Sequence, residues 1–132
     1  MKKQLFFLLF IVSGLLLHAQ TRNRQYEAYI KQYRDIAVEE MKKYRIPASI
    51  TLAQGLLESG AGQSSLARKS NNHFGIKCGS DWRGKTVRHD DDARRECFRA
   101  YKHPKDSSED HSKFLANRPR YASFFSPLAQ PL

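Results

Sequence analysis

The sequence has few of the residues that mark several common classes of protein. It contains only two cysteines, and 13 acidic residues stand against 23 lysines and arginines, which gives a formal net charge of +10 over 132 residues. It shows no internal repeat and no heptad pattern. No group of cysteines and histidines has the close spacing of a zinc site. We therefore expect no metal or organic cofactor, and the length allows one small domain with one core.

The long apolar run of the chain lies at its N-terminus, where Lys2 and Lys3 precede the stretch from Leu5 to Leu17. This stretch is too short to span a bilayer comfortably, and the small residue Ala19 comes just before polar sequence, which is typical of a secretory signal. We predict a signal peptide at residues 1–19, with an uncleaved N-terminal anchor as the alternative. No stable membrane insertion is expected once the signal is removed.

The rest of the chain remains basic after signal removal. Export would place it in the periplasm, the cell envelope or the extracellular space. A basic exported protein suits an anionic envelope polymer, whereas nucleic acid is not an expected partner there.

The two cysteines, Cys78 and Cys97, belong to the exported part of the chain, where disulfides persist. If the residues between them fold back as a hairpin, a bridge would close a loop of ~20 residues, a size worth roughly 3 kcal/mol. We expect this disulfide. The alternatives are two free thiols or a metal pair with His73 or His103.

Apolar residues at helical spacing predict two helices in the first half of the exported chain. One runs from Gln25 to Tyr44, and the next starts near Pro47 and ends at Glu58. The second helix is apolar nearly all round, so we expect it to be the buried central helix. Gly55 within it would allow a neighbour to approach closely.

The second half of the chain has shorter elements. A helical turn is predicted at 64–68, and a longer helix begins at Ser107, where a serine precedes an acid by three residues, and continues until Pro119. Between them, short runs separated by glycines and charges predict a small antiparallel lobe with Asp90 to Arg95 as its turn. Residues 126–132 should form an irregular tail.

Glu58 has the clearest chemical role. It ends an apolar helix, directly before the Ser59-Gly60-Ala61-Gly62 turn. Burial beside Leu56 and Leu57 and the negative end of the helix dipole should both disfavour its charged form. A carboxylic acid that keeps its proton near neutral pH acts as a general acid. The alternative is a solvated glutamate at a helix end.

Cleavage of a glycosidic bond usually needs a second acidic group, and the hairpin tip offers Asp90, Asp91 and Asp92. Strand alternation would send Asp91 to one face and its two neighbours to the other. Asp91 and Asp92 both stay candidates for the second catalytic acid. A solvated turn is the alternative for all three residues.

Sugar rings are held by aromatic faces and by amide hydrogen bonds. The predicted substrate-binding residues are Asn72, His73, Phe74, Trp82, Tyr101 and Tyr121. Trp82 is the best sugar platform, although a lone tryptophan equally often fills a core, here under the hairpin. For His73 the alternative is a hydrogen bond to a backbone carbonyl.

Five motifs occur in order along the chain: Leu57-Glu58-Ser59-Gly60-Ala61-Gly62, Asn72-His73-Phe74-Gly75-Ile76-Lys77, Trp82-Arg83-Gly84, Cys97-Phe98-Arg99-Ala100-Tyr101 and Asn117-Arg118-Pro119-Arg120-Tyr121. Together they resemble the endo-β-N-acetylglucosaminidases of the glycoside hydrolase 73 type, which include flagellar muramidase-like hydrolases and autolysins. The similarity covers roughly Tyr26 to Phe125, and five ordered motifs are far more specific than one.

The resemblance implies an α+β, mainly α, lysozyme-like helical domain at residues 20–125 with a small β-hairpin lobe. It also implies a monomeric hydrolase that cuts the β-1,4 bond after N-acetylglucosamine in the glycan strands of peptidoglycan. Glu58 matches the family's catalytic acid, and the second acid, usually a glutamate, falls near Asp91 or Asp92.

Relatives usually continue into a further helix and a Gly-Tyr-Ala-Thr segment, whereas this sequence ends at Leu132. From the resemblance we therefore expect a domain shortened at its C-terminus, with impaired activity. A lytic transglycosylase and a non-catalytic peptidoglycan-binding remnant are the alternative functions.

Overall fold

The computed structural model describes residues 24–121, which form four α-helices and two strands. The predicted signal peptide at 1–19 and the predicted tail at 126–132 lie outside the described residues. The elements are α1 at 24–44, α2 at Ala48–Glu58, α3 at Ser65–Ser70, β1 at Thr86–His89, β2 at Glu96–Arg99 and α4 at Pro104–Ala116. This mainly helical architecture with a small antiparallel sheet confirms the predicted fold class.

A hydrophobic core cluster lies between α1, α2 and the turn that follows α2. Tyr29, Leu56 and Ala61 are buried there, with Tyr26 and Tyr33 packed against them. These tyrosines recur at helical spacing, so α1 presents one aromatic face to α2. Helix α1 comes close to α2 at Gly55, because a Cβ built at this residue would stand 2.5 Å from the Tyr29 hydroxyl oxygen. The predicted role of Gly55 is therefore confirmed.

Helix α2 is central in the fold but is buried on one face only. Its buried residues are Thr51, Gly55 and Leu56, whereas Leu57 is 71% exposed and Ile50 is 41% exposed. The prediction that this helix is buried all round is wrong for the part of the chain that the structure describes. The reason is that residues 24–121 supply a packing partner for one side of the helix.

The starts of α3 and α4 are set by different capping residues. The Ser64 hydroxyl accepts a hydrogen bond from the Ala67 amide at 3.1 Å, as expected for an N-cap. Helix α4 begins at Pro104, three residues before the predicted start at Ser107, and the Asp106 carboxylate accepts a hydrogen bond from the His103 amide at 3.0 Å. Proline at the first position of a helix leaves no donor unsatisfied, which explains the earlier start.

The β-lobe is one antiparallel hairpin, in which Thr86 pairs with Arg99 and His89 pairs with Glu96. Residues 90–95 connect the strands, as predicted. A disulfide joins Cys78 to Cys97 with their Cα atoms 5.5 Å apart, so the predicted bridge is confirmed. Within residues 24–121, none of the helices combines the length and the apolar character needed to cross a membrane.

Candidate active site

Glu58 is the last residue of α2, and its side chain is exposed. The expected burial of this carboxyl group is therefore wrong, because α2 ends at the surface and Leu57 beside it also points outward. The carboxyl group still lies at the negative end of its helix. It also lies against Gly75, where a built Cβ would come within 3.9 Å of the Glu58 Oε2 atom.

A cavity of about 530 Å³ lies beside this carboxyl group, and Gly75 is part of its wall. The cavity is lined by Phe74, Gly75, Ile76, Lys77, Gly79, Asp81, Arg99, His111, Phe114 and Arg118. Phe74 forms one side and stacks on His111 with 4.1 Å between ring centroids and an interplanar angle of 15°. Burial lowers the pKa of His111 to about 4, so its ring is neutral at neutral pH.

The segment that carries Phe74 is held from inside the protein by Asn72 and His73. The Asn72 amide group donates to the carbonyl oxygens of Ile76 and Arg99, both at 2.9 Å, and its side-chain oxygen accepts from the Ile76 amide at 3.0 Å. His73 is buried with its Nδ1 atom 3.0 Å from the Tyr29 hydroxyl, and burial lowers its pKa. Both residues were predicted to bind substrate, and both have partners inside the protein.

Trp82 and Tyr101 lie together near the cavity, with ring centroids 5.5 Å apart. The guanidinium of Arg99 stands 4.9 Å from the Trp82 ring, and the indole N–H donates to the Lys85 carbonyl at 2.8 Å. The Tyr101 hydroxyl donates to Asp110 at 2.6 Å. Burial and this hydrogen bond raise the pKa of Tyr101, which keeps its hydroxyl protonated. Trp82, the predicted sugar platform, and Tyr101, another predicted substrate-binding residue, therefore belong to one aromatic and ionic cluster.

Asp91 and Asp92 both point to Lys77. The Lys77 ammonium lies 3.5 Å from Asp91, 3.3 Å from Asp92 and 3.0 Å from Glu96. The hydrogen bond to Glu96 is the largest of the effects that raise the pKa of Lys77 to about 12. The three carboxylates lie within 4.8 Å of one another, a spacing that would suit a cation, and the lysine supplies that charge. Sequence reasoning missed Glu96 and Lys77.

A short piece of chain connects Glu58 to this acidic group. A Cβ built at Gly75 would lie 3.9 Å from the Glu58 Oε2 atom, Lys77 contacts Glu96, and two residues of chain span at most about 7 Å. Glu58 and the three hairpin acids therefore flank the same segment of the wall. Glycoside hydrolysis usually uses two acidic groups, so Glu58 and one of the hairpin acids are the candidates for such a pair.

The last predicted residue, Tyr121, lies at the end of the described range and is half-buried. The guanidinium of Arg120 stands 4.9 Å from its ring. Three residues earlier, Arg118 lines the cavity, with its guanidinium 4.0 Å from the Phe114 ring. His111 and Arg118 were not predicted as site residues, because His111 lies on a predicted helix face and only Tyr121 was predicted as a substrate-binding residue from the motif that contains Arg118.

Comparison with known proteins gives a consistent set of relatives. The family described as mannosyl-glycoprotein endo-beta-N-acetylglucosaminidase matches residues 34–130. The peptidoglycan hydrolase FlgJ of Vibrio parahaemolyticus is 33% identical over 106 residues, which cover 72% of this chain and 34% of that protein. The exo-glucosaminidase LytG of Bacillus subtilis is 37% identical over 82 residues, or 56% of this chain and 28% of that one. The chain thus spans about a third of the length of these relatives.

Solved structures share the fold. A peptidoglycan hydrolase from Sphingomonas sp. A1 has a TM-score of 0.64 and 35% identity, with 72% of this chain and 64% of that chain covered. The glycoside hydrolase domain of FlgJ from Salmonella typhimurium has a TM-score of 0.65 and 27% identity, with 74% and 64% covered. These likenesses agree with the lysozyme-like architecture that the sequence motifs implied.

Proposed function

Because the chain belongs to the mannosyl-glycoprotein endo-β-N-acetylglucosaminidase family, we propose that it hydrolyses peptidoglycan, with Glu58 as the general acid. The bond cut is the β-1,4 bond after N-acetylglucosamine, and the protein acts in the cell envelope or outside the cell. The observation that carries this proposal is the position of Glu58, exposed at a helix end against Gly75 and beside an aromatic-walled cavity. The names of the relatives as peptidoglycan hydrolases support the substrate.

Gly75 gives a glycosidic oxygen access to the Glu58 carboxyl group. Its φ of +60° is a backbone conformation that favours glycine, and its missing side chain leaves the face of the carboxyl group uncovered. A bound sugar that excludes water there would disfavour the charged form of the acid. Glu58 would then protonate the leaving oxygen as the bond breaks.

The second acid comes from the group around Lys77, and we favour Glu96 over Asp91 and Asp92. The Glu96 side chain is 23% exposed, against 51% for Asp91 and 89% for Asp92. Glu96 is also fixed by strand pairing with His89, whereas the two aspartates lie in the turn. A fixed, partly buried carboxylate is better suited to orient a water or stabilise a positively charged sugar.

Substrate contacts in this proposal come from the aromatic residues. Phe74 lines the cavity, and Trp82 and Tyr101 form the adjoining cluster, with Tyr121 beyond α4. Asn72 and His73 do not belong to these four substrate contacts, because their polar atoms bond inside the protein. They act on the substrate by holding the Phe74 segment in place.

The test of the hydrolase is digestion of peptidoglycan by the purified protein and by its Glu58→Gln variant, with mass spectrometry of the released fragments. We expect reducing N-acetylglucosamine ends from the wild type and none from the variant. Anhydro-muramyl ends would instead make it a lytic transglycosylase. No release by the wild type, with both proteins folded and retained on the wall, would show binding without cleavage.

The second acid is tested with Glu96→Gln, Asp91→Asn and Asp92→Asn, three substitutions that each remove one charge from the same group. Loss of an acid–base group typically lowers the rate by about 10²–10⁴. We expect such a loss for Glu96→Gln alone, with thermal unfolding as the control for folding. Full activity of Glu96→Gln beside an inactive aspartate variant would move the role to that aspartate.

A further inference from the structure

The walls of the cavity beside Glu58 differ in character. Phe74, Phe114 and His111 give it flat apolar sides, whereas Lys77, Arg99 and Arg118 bring three cationic side chains to it. A neutral glycan strand needs no cation for recognition. The positive charge in this cavity therefore calls for a separate explanation.

Two of the three cations are neutralised by acids of the protein itself. Lys77 has three carboxylates within 3.5 Å. Arg99 binds Asp81 and Asp110, each at 3.0 Å. Neither side chain has a charge left for a ligand.

Arg118 differs from the other two cations. Among residues 24–121, the structure shows no acid in ion-pair contact with its guanidinium. The guanidinium instead stacks on the Phe114 ring at 4.0 Å, and Phe114 is 44% exposed. Stacking fixes the plane of a guanidinium and leaves its N–H donors at the edge available.

We propose that this cavity binds a carboxylate of the peptide stem attached to the glycan strand, with Arg118 as the residue that recognises it. A guanidinium held in one plane matches a carboxylate with two parallel hydrogen bonds. The glycan strand of peptidoglycan is neutral apart from its peptide substituents, whose carboxylates are the anionic groups close to the sugars. The assignment rests on the proposed function, because Gly75 joins this cavity to the Glu58 carboxyl group.

Such a contact would select strands that carry stems over bare glycan. The apolar walls would contact the side chains of the stem, and Arg118 would bind its charge. Arg120 is a matched control, because it also stacks on an aromatic ring, Tyr121 at 4.9 Å, but is not part of the cavity lining.

The direct test is binding, measured by titration calorimetry with a soluble stem tripeptide and with the same tripeptide carrying amidated carboxyl groups. We expect the acidic peptide to bind the wild type and Arg120→Gln equally. Arg118→Gln should bind it about tenfold or more weakly, as the loss of one charge-assisted contact predicts. Amidation should weaken binding to the wild type by a similar factor.

The second test compares cleavage of stem-bearing glycan strands with cleavage of strands whose stems an amidase has removed and whose freed lactyl carboxylates have then been amidated, so that this substrate carries no carboxylate. Arg118→Gln should lower kcat/KM on the first substrate about tenfold and leave the second unchanged. An equal fall on both substrates, or no fall on either, would overturn the assignment, as would equal binding of acidic and amidated peptides. Peptide binding that depends on Arg118 in a protein that cuts neither strand would overturn the proposed hydrolysis alone.

Discussion

The Nζ atom of Lys77 lies 3.0 Å from Oε1 of Glu96, and the residue that follows each of them is a cysteine of the Cys78–Cys97 bridge. The Cys78 amide also donates to the Cys97 carbonyl at 2.9 Å. The disulfide thus fastens together the two pieces of chain whose side chains pair. A candidate catalytic carboxylate is held in place by a covalent bond one residue away.

Removal of this bridge should destabilise the protein. The cysteines are 19 residues apart, and a loop of this size is worth roughly 3 kcal/mol. We expect the double variant Cys78→Ser/Cys97→Ser to lose about that much free energy of unfolding in urea. A reducing agent should weaken the wild type by a similar amount and leave the double variant unchanged. Equal stability of wild type and variant would contradict the prediction.

The Lys77–Glu96 region contains features that the sequence predicts and one that it does not. The disulfide and the hairpin turn were predicted from the redox compartment and from turn composition. The Cys78–Cys97 bridge places the segments that carry Lys77 and Glu96 side by side, although the backbone partner of Lys77 is Phe98. The predicted bridge therefore indicated which segments meet, and not which acid pairs with Lys77. Adjacent acids at a predicted hairpin tip favour Asp91 and Asp92, whereas Glu96 lies within a predicted strand and carries no such signal.

Gly55 should not tolerate even a methyl group. A built Cβ there stands 2.5 Å from the Tyr29 hydroxyl oxygen and 3.2 Å from the Phe74 ring. Alanine favours a helix by about 1 kcal/mol over glycine, but overpacking costs typically 1–3 kcal/mol, and this contact is tight. We expect Gly55→Ala to lower the free energy of unfolding. In a Tyr29→Phe background the loss should shrink, and an identical loss in both backgrounds would show that the hydroxyl is not the obstacle.

Asn72 should matter for stability more than for binding. Its side chain satisfies two carbonyl oxygens and one amide, and the residue is 1% exposed. Each buried polar group left without a partner costs about 1–3 kcal/mol. We therefore expect Asn72→Ala to lose roughly 2–4 kcal/mol in denaturant unfolding, whereas the exposed Asn117→Ala should change little. If Asn72→Ala had the stability of the wild type and a raised KM, Asn72 would instead be a residue that contacts the substrate.

Other features of the fold depend on contacts that no local pattern contains. Asn72 and His73 lie in a polar segment that suggests a binding loop, yet their partners, Arg99 and Tyr29, are far away in sequence. The exposed face of α2 could not be predicted from a local pattern either, because an apolar helix is buried only where another element packs against it. The predicted start of α4 was wrong for a local reason. Ser107 has the sequence pattern of a helix start, but the helix already begins at Pro104.

His111 should make the protein less stable in mild acid. Burial lowers its folded pKa to about 4, against about 6.5 in an unfolded chain. Between these pH values the unfolded state binds a proton that the folded state does not, so the free energy of unfolding rises with pH in this window and falls as the pH drops from 6.5 to 4. The loss is on the order of 3 kcal/mol. Above pH 6.5 the residue is neutral in both states and contributes no slope.

The measurement is urea unfolding at several pH values for the wild type and His111→Gln. The variant has lost the stacked ring on Phe74, so its stability at pH 7 will be lower, and the informative quantity is the slope between pH 4 and 6.5. His73 has a lowered pKa as well, so part of the slope should remain in the variant. A slope identical to that of the wild type would mean that His111 gains its proton in the folded state without penalty, and that the wall it shares with Phe74 is open to water.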